Sequence, residues 1–383
     1  MKRKSVTIFF LIDALGWEWI KHGSFLDERA ELKQRVRTVF GFSSAAIPSI
    51  LTGKYPDEHG RWNLLYYSPE TSPFRWTRPL RLLPRFMREN RVSRKLINMV
   101  TKRLVGADGY FAGYVETDKL SLFDICEKRN IYRPGGIEGS TTIIDAMEAR
   151  SISYRAYSYH DHTDSGIFDA LGNDLRAGKH DLYFAYLPEL DAYLHAHSDV
   201  PDLVATKLAW YEKKVSQVLD TAEDHVESVR WFVFSDHGMT LVTAHYDLIG
   251  DLRNAGITIG KDCLAVFDST MARFWVDGQA VRERICRVLE RCPAGRILTE
   301  TDLKKLRVYF HDQRYGQIIF LMEPGTLIFP NIFGSHKPSG MHGFHPDDKH
   351  SYGVFLSNIK GYDPRVIVDF HNVMNAELEK YSK

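Results

Sequence analysis

Asp236 and His237 stand side by side directly after an apolar run, within the stretch WFVFSDHGM at residues 231–239. A carboxylate and an imidazole delivered together cannot both enter a core without partners, because an unpaired buried charge is expensive. A metal ion satisfies both at once; a polar turn closing a strand is the plainer account of the same two residues. Asp13 repeats the arrangement after the apolar run 6–12, although an Asp there could equally cap a helix over residues 15–20. Hydroxyls come from Ser43 and Ser44, where small residues open a helix carrying Ile47, Ile50 and Leu51 that Gly53 and Pro56 end. A hydroxyl at that point is ordinarily an N-cap. It is also surrounded by free backbone N–H groups and the positive end of the helix dipole, which suits a nucleophile attacking an anionic ester. Both serines are candidates on these grounds.

The elements that would position these groups are short apolar strands. Residues 6–12, 182–187 and 231–234 lack polar alternation and read as parallel strands buried on both faces. Open sheets of this kind place ligands beyond the carboxyl ends of their strands, where Asp13 and Asp236 fall. A helix over 141–149 leads to a strand at 154–159, and a long amphipathic helix over 204–226 feeds the strand before Asp236. Further strands are expected at 271–276 and 316–321, a helix at 280–291, and a last core strand at 352–356. The pattern predicts an α/β fold: a doubly wound, mostly parallel central sheet with helices on both faces. We expect a single catalytic domain over 1–383 carrying two insertions, a basic cap segment at 63–134 and a subdomain at 277–333.

Composition agrees with a globular chain. Of 383 residues, 44% are hydrophobic and 26% charged, and the net charge of +1 makes no case for nucleic acid. Cys126, Cys263, Cys286 and Cys292 have neither zinc-like spacing nor disulfide density and read as free thiols in a reducing compartment. The basic and apolar N-terminus lacks a small-x-small cleavage site, and no apolar run approaches the ~20 residues that span a bilayer. A cytoplasmic location is expected.

Five separated motifs, taken in order, resemble the alkaline phosphatase superfamily, in particular its type I phosphodiesterase/nucleotide pyrophosphatase branch. They are the strand-ending Asp13; the run Thr52-Gly53-Lys54-Tyr55-Pro56-Asp57-Glu58-His59-Gly60 with Ser43 nine residues before its Thr; Asp191 with His195 four residues on; Ser235-Asp236-His237-Gly238-Met239; and Gly340-Met341-His342-Gly343-Phe344. The resemblance implies an alkaline-phosphatase-like fold and a metal-dependent phosphoesterase. It assigns Asp13, Ser43, Asp236 and His237 to one divalent ion, and Asp191, His195 and His342 to another, with Ser43 as nucleophile. Residues spaced i and i+4 share a helix face, which is how Asp191 and His195 would converge. The mixed imidazole and carboxylate set suits Zn²⁺, with Mn²⁺ as the other candidate. His59, His197, His345 and His350 read as structural, and His160-Asp161-His162 as surface or substrate contacts.

Two departures bear on the substrate. The branch usually carries Thr at the nucleophile position, and Asn three residues later to contact a non-bridging phosphate oxygen; here these are Ser43 and Ala46. The x-Pro-x-Arg of sulfatases is missing after Ser43, which argues against a formylglycine enzyme. Cleavage of a phosphodiester or pyrophosphate through a phosphoseryl intermediate is therefore expected, on a phosphorylated small molecule, nucleotide or glycan. A phosphomonoesterase or phosphotransferase acting on a glycan or lipid-linked phosphate is the alternative, as is a non-catalytic metal-binding descendant. Finally, residues 74–105 hold eight Arg and two Lys against the single Glu89, interleaved with large apolar residues. They read either as a cap with a solvated basic face or as an element lying on anionic lipid.

Overall fold

Strand β1 (Arg3–Ile12) occupies the interior of a six-stranded sheet, and its composition explains why. Val6 and the five residues from Ile8 to Ile12 are apolar and wholly buried. Successive side chains leave opposite faces. Val6, Ile8, Phe10 and Ile12 join a cluster with Ile167, Leu171, Leu208 and Val215, whereas Phe9 meets Phe232 and Phe234 on the other side. Each such burial contributes about 1.5–3 kcal/mol.

The other strands of this sheet are β2 (Leu32–Val36), β3 (Tyr154–Tyr157), β4 (Leu182–Leu187), β5 (Val226–Phe234) and β6 (Gly353–Ser357), in the spatial order β2-β6-β5-β1-β4-β3. Strands β5, β1, β4 and β3 are mutually parallel, and β6 runs antiparallel to both β5 and β2. One reversed strand thus makes a mostly parallel sheet mixed. Helices α2 (Asp164–Arg176), α3 (Glu189–His197) and α4 (Pro201–His225) bury apolar residues against one face. On the other face, helix α5 (Phe370–Leu378) stacks Phe370 on Phe234 at 4.9 Å and packs on α1 (Ser43–Thr52). The expected doubly wound α/β architecture is present.

Register positions the chemistry. Leu11 pairs with Phe234 and Ile12 with Leu187, so β5, β1 and β4 stop at one level. Asp13, Asp236 and the start of α3 therefore emerge along one edge.

The computed structural model describes residues 3–105, 115–332 and 337–381, and the chain divides into two units. The first, with the sheet just described, comprises Met1–His59, Ile131–Leu241 and Pro338–Lys383; the second comprises Gly60–Asn130 and Val242–Lys337. Most of both expected insertions falls in the second unit, which takes up its later segment from Val242. Residues 106–114 and 333, also within those insertions, lie outside the described residues.

The second unit corrects one expectation. Residues 271–276 and 316–321 do not extend the doubly wound sheet. Met271–Val276 and Ile318–Met322 lie in a separate antiparallel sheet with Cys263–Phe267 and Gly295–Ile297. A short turn at Asp268-Ser269-Thr270 allows only hairpin pairing, because a parallel partner needs a crossover of a dozen residues or more. Boundaries shift elsewhere: the strand expected at 154–159 ends at Tyr157, and Val226, expected to end a helix, begins β5. The half-buried edge strand β2, LKQRV, carries no apolar run that would have announced it.

Inside the second unit Arg273 is wholly buried. Its guanidinium forks onto both oxygens of Asp268 and donates to the Leu65 carbonyl at 2.8 Å. Removing one partner of such a pair leaves an uncompensated buried charge. Replacement Arg273→Met should therefore destabilise this unit by about 3–5 kcal/mol in urea denaturation. An unchanged midpoint would show that the pair contributes nothing net.

Candidate active site

All seven residues singled out for a metal-dependent phosphoesterase lie in the first unit, and the fold brings them together. Asp13 leaves the end of β1; Asp236 and His237 follow β5 after Ser235. Gly238 permits that turn, since a Cβ there would stand 2.2 Å from the His350 carbonyl oxygen and 2.9 Å from that of Tyr352. Ser43 is the first residue of α1, whose N-cap Phe42 offers no side-chain cap. Asp191 and His195 lie one turn apart on α3. His342 comes from the opposite end of the chain. Its preceding pair Gly340–Met341 forms a two-residue antiparallel ladder with Thr240–Leu241, tying His342 to the segment just beyond His237. Ser339 N–H donates to the His195 carbonyl at 2.8 Å, and His195 Nδ1 lies 2.8 Å from the Gly340 carbonyl oxygen. That contact makes Nδ1 the protonated nitrogen and leaves Nε2 available as a ligand.

Geometry separates Ser43 from Ser44. Ser43 Oγ lies 3.0 Å from His237 Nε2, whereas Ser44 is buried on α1. The same Nε2 is 3.1 Å from Asp236 Oδ2 and 3.5 Å from Asp13 Oδ1. Asp191 reaches the other histidines, with Oδ2 3.3 Å from His195 Nε2 and Oδ1 3.4 Å from His342 Nε2. Despite this crowding, Asp13 Oδ1, Asp191 Oδ1, Asp236 Oδ2 and His342 Nδ1 are buried without any hydrogen bond. Buried polar atoms normally find partners. Carboxylate oxygens gathered at histidine Nε2 atoms and left unsatisfied suit the coordination of a cation.

Among the described residues, two groups have the proximity a divalent ion requires. Asp191, His195 and His342 offer ligand atoms within 4.8 Å of one another, and so do Asp13, Asp191 and His237. Asp191 thus stands within reach of both groups, while Asp236 adjoins the second through His237. These carboxylates and imidazoles fit a divalent cation in kind and spacing.

Electrostatics carry the same message. Burial, then Asp236 and Asp191, pushes Asp13 well above the usual carboxylate range. Burial disfavours a charged His237, yet Asp236, Asp13 and Asp191 outweigh it and push the ring up to about 10. Burial likewise opposes the Asp191 charge, but His195 and His342 hold that carboxyl below its ordinary range. His342 is driven well below the usual histidine value by burial and by His237, whose ring stacks on it at 3.8 Å. The pocket favours positive charge, and of the two stacked rings it is His237 whose affinity for a proton rises.

Several residues that serve the site were not anticipated. Tyr186, next to last in β4, donates its hydroxyl to Asp13 Oδ2 at 2.5 Å and orients that carboxylate. A Tyr in an otherwise apolar buried strand is itself a signal, since its hydroxyl needs a partner. Asp164 and Glu189 clamp the start of α3: Glu189 N–H donates to Asp164 Oδ2 at 3.1 Å, and Asp164 N–H to Glu189 Oε1 at 3.2 Å. Tyr211 also donates to Asp164. Of the histidines set aside, His59 pairs with Ser49 Oγ at 3.0 Å and His197 packs on the Tyr193 ring. His345 lies 3.6 Å from Asp347, and His160 packs on Tyr159. Ala46 is buried and offers no donor.

The family model for type I phosphodiesterase/nucleotide pyrophosphatase matches residues 7–345. In fold the chain is similar to human ectonucleotide pyrophosphatase/phosphodiesterase 5, with a TM-score of 0.69 at 13% identity over 99% of this chain and 95% of that one. The murine protein of the same name gives a TM-score of 0.67 at 15% identity, covering 99% and 95%. Its inactive variant in complex with AMP gives 0.65 at 15% identity, covering 98% and 95%. No curated protein matches this sequence. The fold is that of the alkaline phosphatase superfamily.

The clamp on α3 has a pH signature. Burial pushes Asp164 up to about 7, with Glu189 adding to the shift and the Tyr211 hydroxyl, the Glu189 N–H and Lys207 opposing it. A carboxyl raised above its unfolded value stabilises fully below about pH 4, and that contribution is lost as pH rises through about 7. Asp164→Asn stays neutral and escapes the loss. Between pH 4 and 8 its stability should gain about 2–4 kcal/mol relative to wild type. Parallel pH–stability curves for the two proteins would contradict this.

Proposed function

Because the chain belongs to the type I phosphodiesterase/nucleotide pyrophosphatase family, a family of hydrolases, we propose that it cleaves a phosphodiester or pyrophosphate bond through a phosphoseryl intermediate on Ser43. The observation that carries this reading is the placement of Ser43 Oγ against His237 within a cluster of buried, unbonded ligand atoms. A binding-only descendant would have no use for a hydroxyl there.

Asp13, Ser43, Asp236 and His237 would hold one divalent ion; Asp191, His195 and His342 would hold the other. Zn²⁺ suits this donor set, with Mn²⁺ the other candidate. When bound, such ions supply Lewis-acid stabilisation of phosphoryl oxygens and lower the pKa of a hydroxyl. The chain's own residues do the rest. The N-terminus of α1 presents its partial positive charge beneath Ser43, where an anionic phosphorus centre would sit. Ser43 Oγ forms a bond to phosphorus as the bond to the leaving oxygen breaks, and the hydroxyl proton ends on the departing group. Water then breaks the Ser43–phosphorus bond and restores the hydroxyl. Tyr186 holds Asp13 in place throughout.

The AMP complex of the murine relative supports a nucleotide-type phosphate as the substrate class to test first. Ala46 removes the donor that the family resemblance places near a non-bridging oxygen, so selectivity for simple nucleotide diesters should be relaxed here. A monoester or a glycan-linked phosphate is the second class. A reducing compartment fits the four unpaired thiols.

Elemental analysis of the purified chain should find about two divalent ions per molecule, with turnover of a chromogenic diester lost on chelation and regained on adding Zn²⁺ or Mn²⁺. Metal-free protein with chelator-resistant turnover would refute the two-ion site. The nucleophile is tested separately. Ser43→Ala should fold normally and lose at least about a thousandfold in turnover, with no phosphoenzyme trapped by acid quench. Ser44→Ala should lose far less; near-normal rates in both variants would place the chemistry on another group.

A further inference from the structure

We infer that the segment 75–103 of the second unit is an interfacial element that seats the protein on an anionic lipid surface. Of the twelve large hydrophobic side chains exposed among the described residues, seven fall between Leu82 and Met99. Scattered exposed apolar residues are ordinary; a contiguous concentration marks an interaction site.

The arrangement is built, not ragged. The helix Arg91–Val105 anchors itself through Ile97 and Thr101, both buried, with Ile97 in a core shared with Phe74, Leu120 and Phe123. Trp76 Nε1 donates to Thr101 Oγ1 at 3.2 Å, tying the preceding turn to the same face. With that face assigned to the core, the opposite one should be polar. Instead Val92, Leu96 and Met99, spaced i, i+4 and i+7, stand 78%, 52% and 61% exposed. Lys95, Lys102 and Arg103 are exposed on the same stripe. Just upstream, Leu82 and Phe86 are 82% and 78% exposed beside the exposed Arg78 and Arg81.

Charge selects the occupant. Residues 74–105 carry ten cationic side chains against Glu89, whose carboxylate is already engaged by Arg94. The side chains of Arg85, Arg88 and Arg91 lie outside the described ones and are not needed for this count of sign. The partner must therefore be strongly anionic. It must also accept hydrocarbon, because Leu82, Phe86, Val92, Leu96 and Met99 alternate with the cations. A nucleic acid offers the charge without a greasy layer. A bilayer rich in anionic headgroups offers both, and basic residues flanking an apolar stripe are how surface-lying helices bind it. No helix among the described residues is long and apolar enough to cross a membrane, so the contact is peripheral.

The test is sedimentation of the full chain with vesicles of phosphatidylcholine alone or with phosphatidylserine added, at low and high salt. Wild type should bind the phosphatidylserine vesicles at low salt and leave them at high salt. Two variants separate the contributions, each checked by circular dichroism for an unchanged fold. Replacing Arg81, Lys95, Lys102 and Arg103 by Gln should weaken binding at least about tenfold. Changing Leu82, Phe86, Val92 and Leu96 to Ser should weaken it comparably at low salt, although every cation is kept. Indifference of the wild type to anionic vesicles overturns the proposal. So does an apolar-to-Ser variant that binds as wild type does, or tighter binding to an oligonucleotide than to vesicles.

Discussion

Three carboxylates, Asp13, Asp191 and Asp236, must share one buried place, and much of the first unit follows from how that is made tolerable. No arrangement of neutral side chains would offset such a concentration of negative charge in a low-dielectric interior. The structure meets it with the imidazoles of His195 and His237 and hydrogen bonds from Tyr186 and the Ala14 N–H, and still leaves oxygens unbonded. The strands are the other half of the solution. Each delivers its acid or its helix at the sheet edge only because β5, β1 and β4 end in register. A one-residue slip would send alternate side chains to the other face and bury the acids among phenylalanines.

The histidines show how far the balance is tuned. His237 is held charged by surrounding acids, while its stacked neighbour His342 is held neutral by burial and by His237 itself. Two rings of the same chemistry, 3.8 Å apart, thus behave oppositely because one faces three carboxylates and the other shares only one. A cation held here would compete with the proton on the first ring and meet a free nitrogen on the second.

Much of this was legible in the sequence, for a physical reason. Strands buried on both faces are continuous apolar runs, so residues 6–12, 182–187 and 231–234 announced themselves, and each one's polar terminus marked the functional edge. The family resemblance did the rest: it singled out Asp191 with His195 four residues on, and Ser43 nine residues before Thr52. What could not be read was whatever depends on partners distant in sequence. The edge strand β2 is half-exposed and has no pattern of its own. Met271–Val276 looks like any buried strand, and only the three-residue turn before it reveals antiparallel pairing. Tyr186 and Asp164 became positioning groups only once β4, α2 and α3 were packed together.

One feature of the site bears on the life of the chain before it is complete. Its candidate ligands run from Asp13 to His342, and the last is held by the short ladder between Gly340–Met341 and Thr240–Leu241. During synthesis β1 and β5 leave the ribosome before β6, so the three acids emerge ahead of His342. A chain cut short before residue 340 lacks His342, the Gly340 carbonyl that orients His195, and the His350 and Tyr352 carbonyls that hem in Gly238. It can gather the negative charge but not close the cage. Such a product would hold the three carboxylates together without His342 beside Asp191.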